Sequence, residues 1–255
     1  VWEEFMERNY LTTQLENAME RITEVKLNQS TKTNSYFFFE NGVVEVTKSN
    51  IKLIAYEEYD GYIFEDQIIK HYFEIQDFIN DDIAMFDTFL KNVTNNDAKR
   101  YNHLTSSLGY LLHTYKDKSL TKAVILVDEE IDFEGGAEGG TGKTLITEAI
   151  SKMVNSVVKD GRSLVTNSNR FFYQDIELSH RLMIIDDISS DTHFEKFFSV
   201  VTGGMIVEKK GKQSFSIPFE ISPKLLITSN YMVNGAGGHS EERRIIEIEI
   251  HPYYR

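Results

Sequence analysis

The run Glu138-Gly139-Gly140-Thr141-Gly142-Lys143-Thr144, which opens a helix-like pattern, constrains this chain more than any other segment. Glycine reaches backbone angles that a Cβ forbids, so such a run can curl its N–H groups around a phosphate. Lys143 would then bring charge to the β- and γ-phosphates of ATP, and Thr144 a hydroxyl for Mg²⁺. The pattern G-x-x-x-x-G-K-[ST] is met except at its first glycine, where Ala137 stands; Gly135 and Gly136 lie just upstream. The plainer alternative is a solvated glycine loop that contains Gly-Lys-Thr by chance.

Two later segments weigh against chance. Arg181-Leu182-Met183-Ile184-Ile185-Asp186-Asp187 is an apolar run that ends in paired acids. In a P-loop ATPase a buried parallel strand delivers such acids beside Mg²⁺ and the attacking water. We assign Asp186 to the metal through water and Asp187 to the attacking water. Leu225-Leu226-Ile227-Thr228-Ser229-Asn230 reads as a second buried strand, ending in polar groups that can reach a γ-phosphate or water. Asn230 is expected to orient that water. Either strand alone could be ordinary sheet core; the order of the three segments is what points to a nucleotide hydrolase.

The remaining patterns place these segments. Residues 2–20 have apolar positions at near-helical spacing and predict an amphipathic helix. Tyr36-Phe37-Phe38-Phe39, Asn41-Gly42 and Val43-Val44-Glu45-Val46 predict a hairpin, because Asn-Gly readily takes a positive-φ turn. Those aromatics could stack on bases, but alternation in a hairpin more often marks core. Ile51 to Tyr56 suggests a further strand, and a helical pattern runs from Glu65 to about Tyr115. A change of character at Lys116-Asp117-Lys118-Ser119 sets the expected boundary: a mixed hairpin and helical domain over 1–118, and a P-loop domain over 119–255. Within the second, the predicted order is a strand at 123–127, the glycine loop, a helix over 144–154, and strands near 163–166, 181–187, 224–230 and 245–250. Alternating strands and helices imply an α/β fold, a mostly parallel sheet covered on both faces. About nine residues separate Val127 from Ala137, so either the strand extends into Ile131-Asp132-Phe133 or the loop carries an insertion.

Charge bears on partners. The formal net charge of −13 opposes diffuse binding to nucleic acid, so any such contact needs a local basic feature. Met205 to Ile217 supplies one: two short strands joined by a basic glycine turn that carries Lys209, Lys210 and Lys212. Concentrated positive charge on a projecting turn suits a phosphate backbone. A solvated turn that resists edge aggregation is the plainer alternative. Farther on, Arg243 and Arg244 follow a glycine-rich loop at 234–238. A guanidinium entering a neighbour's site could neutralise charge developing on the γ-phosphate, and Arg244 is preferred because the alternation Ile246, Ile248, Ile250 begins just after it.

Composition excludes several classes. The absence of cysteine excludes disulfides, thiol catalysis and cysteine-ligated zinc, and suits a reducing compartment such as the cytoplasm. Seven scattered histidines form no H-x-x-x-H pair. No apolar run approaches membrane-span length, and no basic-then-apolar leader pattern is visible. The start at Val1 leads us to expect a piece of a longer polypeptide.

Together these segments resemble the superfamily 3 helicases, AAA+-type hexameric motors of small DNA viruses, poxviruses and phages. More narrowly, they look like the helicase part of phage or prophage primase–helicase proteins. The family's motifs would fall on Gly139 to Thr144, Ile184 to Asp187, Gly203 to Lys212 and Lys224 to Asn230, with Arg243 or Arg244 as the arginine finger. The segments Phe38 to Val46 and Gly109-Tyr110-Leu111-Leu112-His113 look like the region preceding such motors. The resemblance implies a ring, most often a hexamer, that translocates 3′ to 5′ on single-stranded DNA. It further implies hairpins lining the channel and a primase domain in the same longer chain. The competing expectations are a packaging or initiator ATPase that does not unwind DNA, and a nucleotide-sensing scaffold.

Overall fold

A computed structural model describes residues 30–75, 84–130, 140–165, 171–231 and 238–254. The helix expected over 2–20 lies outside them, as do Ala137, Gly139 and the possible strand extension at 131–133. The chain divides into two compact units, one of residues 1–28 with 60–63 and one of 29–59 with 64–255. The second unit carries everything that follows.

Its centre is a five-stranded, all-parallel sheet. The strands are β4 (Ala123–Asp128), β5 (Ser156–Asp160), β6 (Leu182–Ile188), β9 (Lys224–Ser229) and β10 (Ile245–Ile250), in the spatial order β10-β4-β9-β6-β5. This is the α/β architecture that the alternating pattern predicted. Strands β4 and β9 are buried at every position, as central strands covered on both faces must be. At the edge, β10 alternates Ile248 and Ile250 inward with Glu247 and Glu249 outward.

Period-two alternation divides each central strand between two cores. Ile125, Met183, Ile185, Leu225 and Ile227 pack with Phe172, Phe194 and Phe197 on one face. Val124, Leu126, Leu182, Ile184 and Leu226 meet the other face, under α1 (Met85–Asn92), α2 (Ala98–Leu112) and α3 (Lys143–Ser151). Helix α2 starts at Asp97, whose carboxylate accepts from the N–H groups of Lys99 and Arg100 at 2.8 and 2.9 Å. The expected boundary near residue 118 falls between α2 and β4, two elements of this shared core.

The predicted hairpin is present as β1 (Ser35–Phe39) and β2 (Gly42–Val46), extended by β3 (Ile51–Ile54). Gly42 has φ +146, and a Cβ there would stand 2.6 Å from the Ile54 carbonyl oxygen. Phe38 and Phe39 are buried, whereas Tyr36 and Phe37 are half-buried.

Two local expectations are corrected. The helical pattern does not run from Glu65: residues 65–67 form one 3₁₀ turn, and residues 68–71 bend around a single bridge from Ile69 to Phe39. Their backbone bonds to the hairpin instead, Ile69 N–H donating to Phe38 O at 2.7 Å and Glu40 N–H to His71 O at 3.1 Å. The strand expected near 163–166 lies earlier, as β5. After Asp160 the chain enters a 3₁₀ turn over Gly161–Val165, with the Asp160 carboxylate accepting the Arg162 N–H at 3.0 Å; a Cβ at Gly161 would strike Ile188 at 2.7 Å. Among the described residues no helix is long and apolar enough to cross a membrane.

Candidate nucleotide site and basic hairpin

The end of the glycine run, the acidic strand and the Asn230 strand converge beyond the carboxyl ends of β4, β6 and β9. They line one cleft of about 380 Å³, formed by Gly140, Thr141, Gly142, Lys143, Thr144, Arg162, Asp186, Asp187, Thr228 and Asn230. Parallel sheets place ligands at this edge, because the loops there are not committed to the ladder. A nucleotide fits the size range of such pockets.

Gly140 and Gly142 have φ +100 and +102, the left-handed region that favours glycine. Nothing lies within 4 Å of a Cβ built on Gly140, so that side of the loop is open. At Gly142 a Cβ would come 2.8 Å from the ring of Phe89, so glycine lets α1 pack against the loop. Helix α3 then starts at Lys143 with no side-chain cap, which leaves its first N–H groups to face the cleft.

Lys143 does not extend into water. It is only 7% exposed, and its ammonium donates to Asp128 Oδ1 at the end of β4 and to Thr141 Oγ1 at 3.2 Å. Thr141 donates in turn to the same Asp128 oxygen at 2.5 Å.

The two acids share the cleft because β6 is irregular. From Ile185 to Ile188 the strand advances three residues against two on β9, Ile227 to Ser229, and Asp187 has φ +56. In a regular strand consecutive side chains would face opposite ways; the extra residue re-aims one of them. Thr228 fastens the result: its hydroxyl donates to Asp186 Oδ1 at 2.6 Å and accepts the Asp187 N–H at 2.8 Å. Asn230 donates its amide to Asp187 Oδ1 at 2.9 Å. Arg162 closes the far side, with Nε 3.2 Å from Asp160 and 3.8 Å from Asp187. Its hydrogen bond to Asp160 raises the guanidinium pKa and lowers that of the carboxyl.

The basic hairpin forms as predicted, from β7 (Met205–Val207) and β8 (Phe215–Ile217), with Gly211 at φ +73 in the turn. Its lysines are not equivalent. Lys210 and Lys212 are exposed, whereas Lys209 pairs with Glu177 and lies over the Phe215 ring at 5.5 Å. Neither Arg243 nor Arg244 lines the cleft of this chain. Arg243 is exposed, and the Arg244 guanidinium lies 4.6 Å from the centre of the Phe198 ring.

The sequence reading did not single out Asp128 or Arg162, and it noted Thr228 only as part of its strand. Asp128 carried a signal, since it ends an apolar run just as Asp186 does. Arg162 and the Phe89 contact had none, because each depends on a turn or a helix brought in from elsewhere.

Residues 135–244 match the model of a family of unknown function, DUF5906. That span runs from the glycine loop to the arginine pair. No curated protein matches the chain. Among solved structures, the chain is similar to the apo A form of the NrS-1 C-terminal region, at 14% identity and TM-score 0.49, covering 88% of this chain and 59% of that one. It is also similar to JCV helicase bound to a thiazolopyridine acetamide, at 14% identity and TM-score 0.40, covering 66% of this chain and 46% of that one. The chain thus spans less than two thirds of either structure.

Proposed function

We propose that this chain is the motor segment of an ATP-driven DNA helicase of the phage replication type, working as a ring oligomer on single-stranded DNA. The observation that carries this is the convergence of Lys143, Thr144, Asp186, Asp187, Thr228 and Asn230 in one cleft, from three places in the sequence. The donor set fits Mg²⁺, which keeps several waters and needs only one or two carboxylates beside phosphate oxygens and a hydroxyl. Thr144 and Asp186 would hold the ion, which would neutralise charge on the phosphates. Open space at Gly140 fits the approach of a phosphate to backbone N–H groups. Lys143 would bind the β- and γ-phosphates, Asp187 would draw a proton from the attacking water, and Asn230 would orient the pair.

DNA binding is proposed for the hairpin, with Lys210 and Lys212 as its outward charges and Lys209 bracing the turn. The trans arginine is proposed from the same pair as before. Here the exposed Arg243 is the better placed to enter a neighbouring subunit, while Arg244 packs on Phe198. A hexamer, a primase domain in the same polypeptide and a cytoplasmic location belong to this proposal.

The test is ATP hydrolysis with and without single-stranded DNA. Lys143→Ala should abolish turnover and weaken ATP binding; wild-type activity in that variant would overturn the site. Stimulation by DNA separates a translocase from a nucleotide sensor, and strand displacement by the whole protein separates a helicase from a packaging or initiator motor.

A further inference from the structure

The Lys143 ammonium is already engaged by a carboxylate that the mechanism above does not use. Asp128 and Lys143 are 2% and 8% exposed at their side chains, so their attraction is little screened. Both donors reach the same Asp128 oxygen, the Lys143 ammonium and the Thr141 hydroxyl, and Thr141 also accepts from Lys143. The three groups close a triangle at the base of the glycine loop, on the wall that would meet the β- and γ-phosphates.

A single ammonium cannot give its full charge to a buried carboxylate and to a phosphate together. The carboxylate therefore competes with the phosphate, and its own negative charge opposes a triphosphate nearby. We propose that Asp128 is a stand-in for the phosphate: it holds Lys143 and Thr141 in place before nucleotide arrives, surrenders Lys143 to the nucleotide, and takes it back on release. This makes Asp128 a positioning residue that weakens nucleotide affinity and favours exchange. The proposal rests on the nucleotide reading of the cleft.

The experiment titrates a fluorescent Mg·ATP analogue into the full chain and into Asp128→Asn, which keeps the shape and can still accept from Thr141. If Lys143 is held by Asp128 most of the time, the apparent Kd carries that fraction as a penalty. Binding by the Asn variant should then be about tenfold tighter than wild type, with slower release of the diphosphate. A residue that merely supports the loop predicts the reverse. Without nucleotide the Asn variant should melt roughly 10 °C lower, because Lys143 stays buried without its counter-charge, and Mg·ATP should recover more of that loss than it adds to wild type. Should the Asn variant not fold, Asp128→Ser, which admits water beside Lys143, is measured the same way.

Equal or weaker binding by the variant, with wild type binding normally, overturns the stand-in role and leaves the nucleotide site standing. Absence of binding by both removes the nucleotide reading and this proposal with it. Binding by the variant alone is the extreme form of the competition and supports it.

Discussion

Asn230 donates its side-chain amide to Asp187 at 2.9 Å, and Asp187 is one of three non-glycine residues with positive φ among those described. Left-handed backbone at such a residue costs of order 1–3 kcal/mol and persists only where its surroundings insist on it. Removing the amide in Asn230→Ala should therefore release the carboxylate and lower ATP turnover by about 10²-fold, with nucleotide affinity little changed. Asp187→Asn should stop turnover and likewise spare binding. Steady-state ATPase and equilibrium binding together check both; a variant that loses binding and turnover in proportion would contradict the assignment.

Thr228 is the pin between the two acids. Thr228→Val keeps the shape but loses the hydroxyl that serves Asp186 and leaves the Asp187 N–H without its acceptor. The expected loss is about 1–3 kcal/mol by urea denaturation, together with reduced turnover. Thr228→Ser should recover most of both, since it restores the hydroxyl.

The lysines of the hairpin should separate in their effects. Lys210→Ala with Lys212→Ala should weaken single-stranded DNA binding and reduce the salt slope by about 1.4, at about 0.7 per phosphate contact. Lys209→Ala should change the slope less, because Lys209 is held by Glu177. Anisotropy at several salt concentrations measures this, with basal ATP hydrolysis expected to survive. An unchanged slope in the double variant would remove the hairpin from the DNA path.

Lys224 connects pH to stability. Its buried ammonium donates to the carbonyls of Tyr110 at 2.7 Å and His113 at 2.5 Å, with no carboxylate among these partners. Burial first, and then the nearby Lys116 charge, push its pKa from 10.5 down to about 7. The unfolded chain keeps that proton until about pH 10, so between pH 7 and 10 it binds more protons than the folded chain. Stability should therefore rise with pH through this window. Lys116, lowered to about 8 by burial, acts in the same direction. Urea midpoints at pH 7, 8 and 9 check the rise, and Lys224→Met should flatten it. A wild-type midpoint that falls over this range would refute it.

The arginine pair is tested by mixing two inactive proteins. Lys143→Ala retains its arginines, and Arg243→Ala with Arg244→Ala retains its glycine loop. A shared site predicts recovered ATPase activity at those mixed interfaces where the intact loop of one protein meets the intact arginines of the other. Single variants should place the larger effect on Arg243. Demonstrated mixed assembly without recovery would count against a trans arginine.

Much of this was legible from local chemistry. Apolar runs at 123–127, 181–187, 224–230 and 245–250 became strands because a run buried on both faces, or alternating at an edge, carries its environment in its own residues. Asn41-Gly42 and the glycine at 211 marked turns for the same reason, since Gly42 and Gly211 supply positive φ where the chain reverses. Lys143, Asp186, Asp187 and Asn230 could be picked out because each follows an apolar run or a glycine loop. What the tertiary structure decided was partnership. β4 pairs with β9 and β10 rather than with its sequence neighbour β5, and the pairing of β9 with β6 brings Asn230 beside Asp187 across 43 residues. The bulge that turns Asp186 and Asp187 into one cleft comes from register against β9, which no property of β6 alone encodes. The engagement of Lys143 by Asp128, and of Lys209 by Glu177, likewise joins charges separated by 15 and 32 residues. Periodicity is written between neighbours in the chain, whereas the partner of a charge is set by which strands and loops the fold lays side by side.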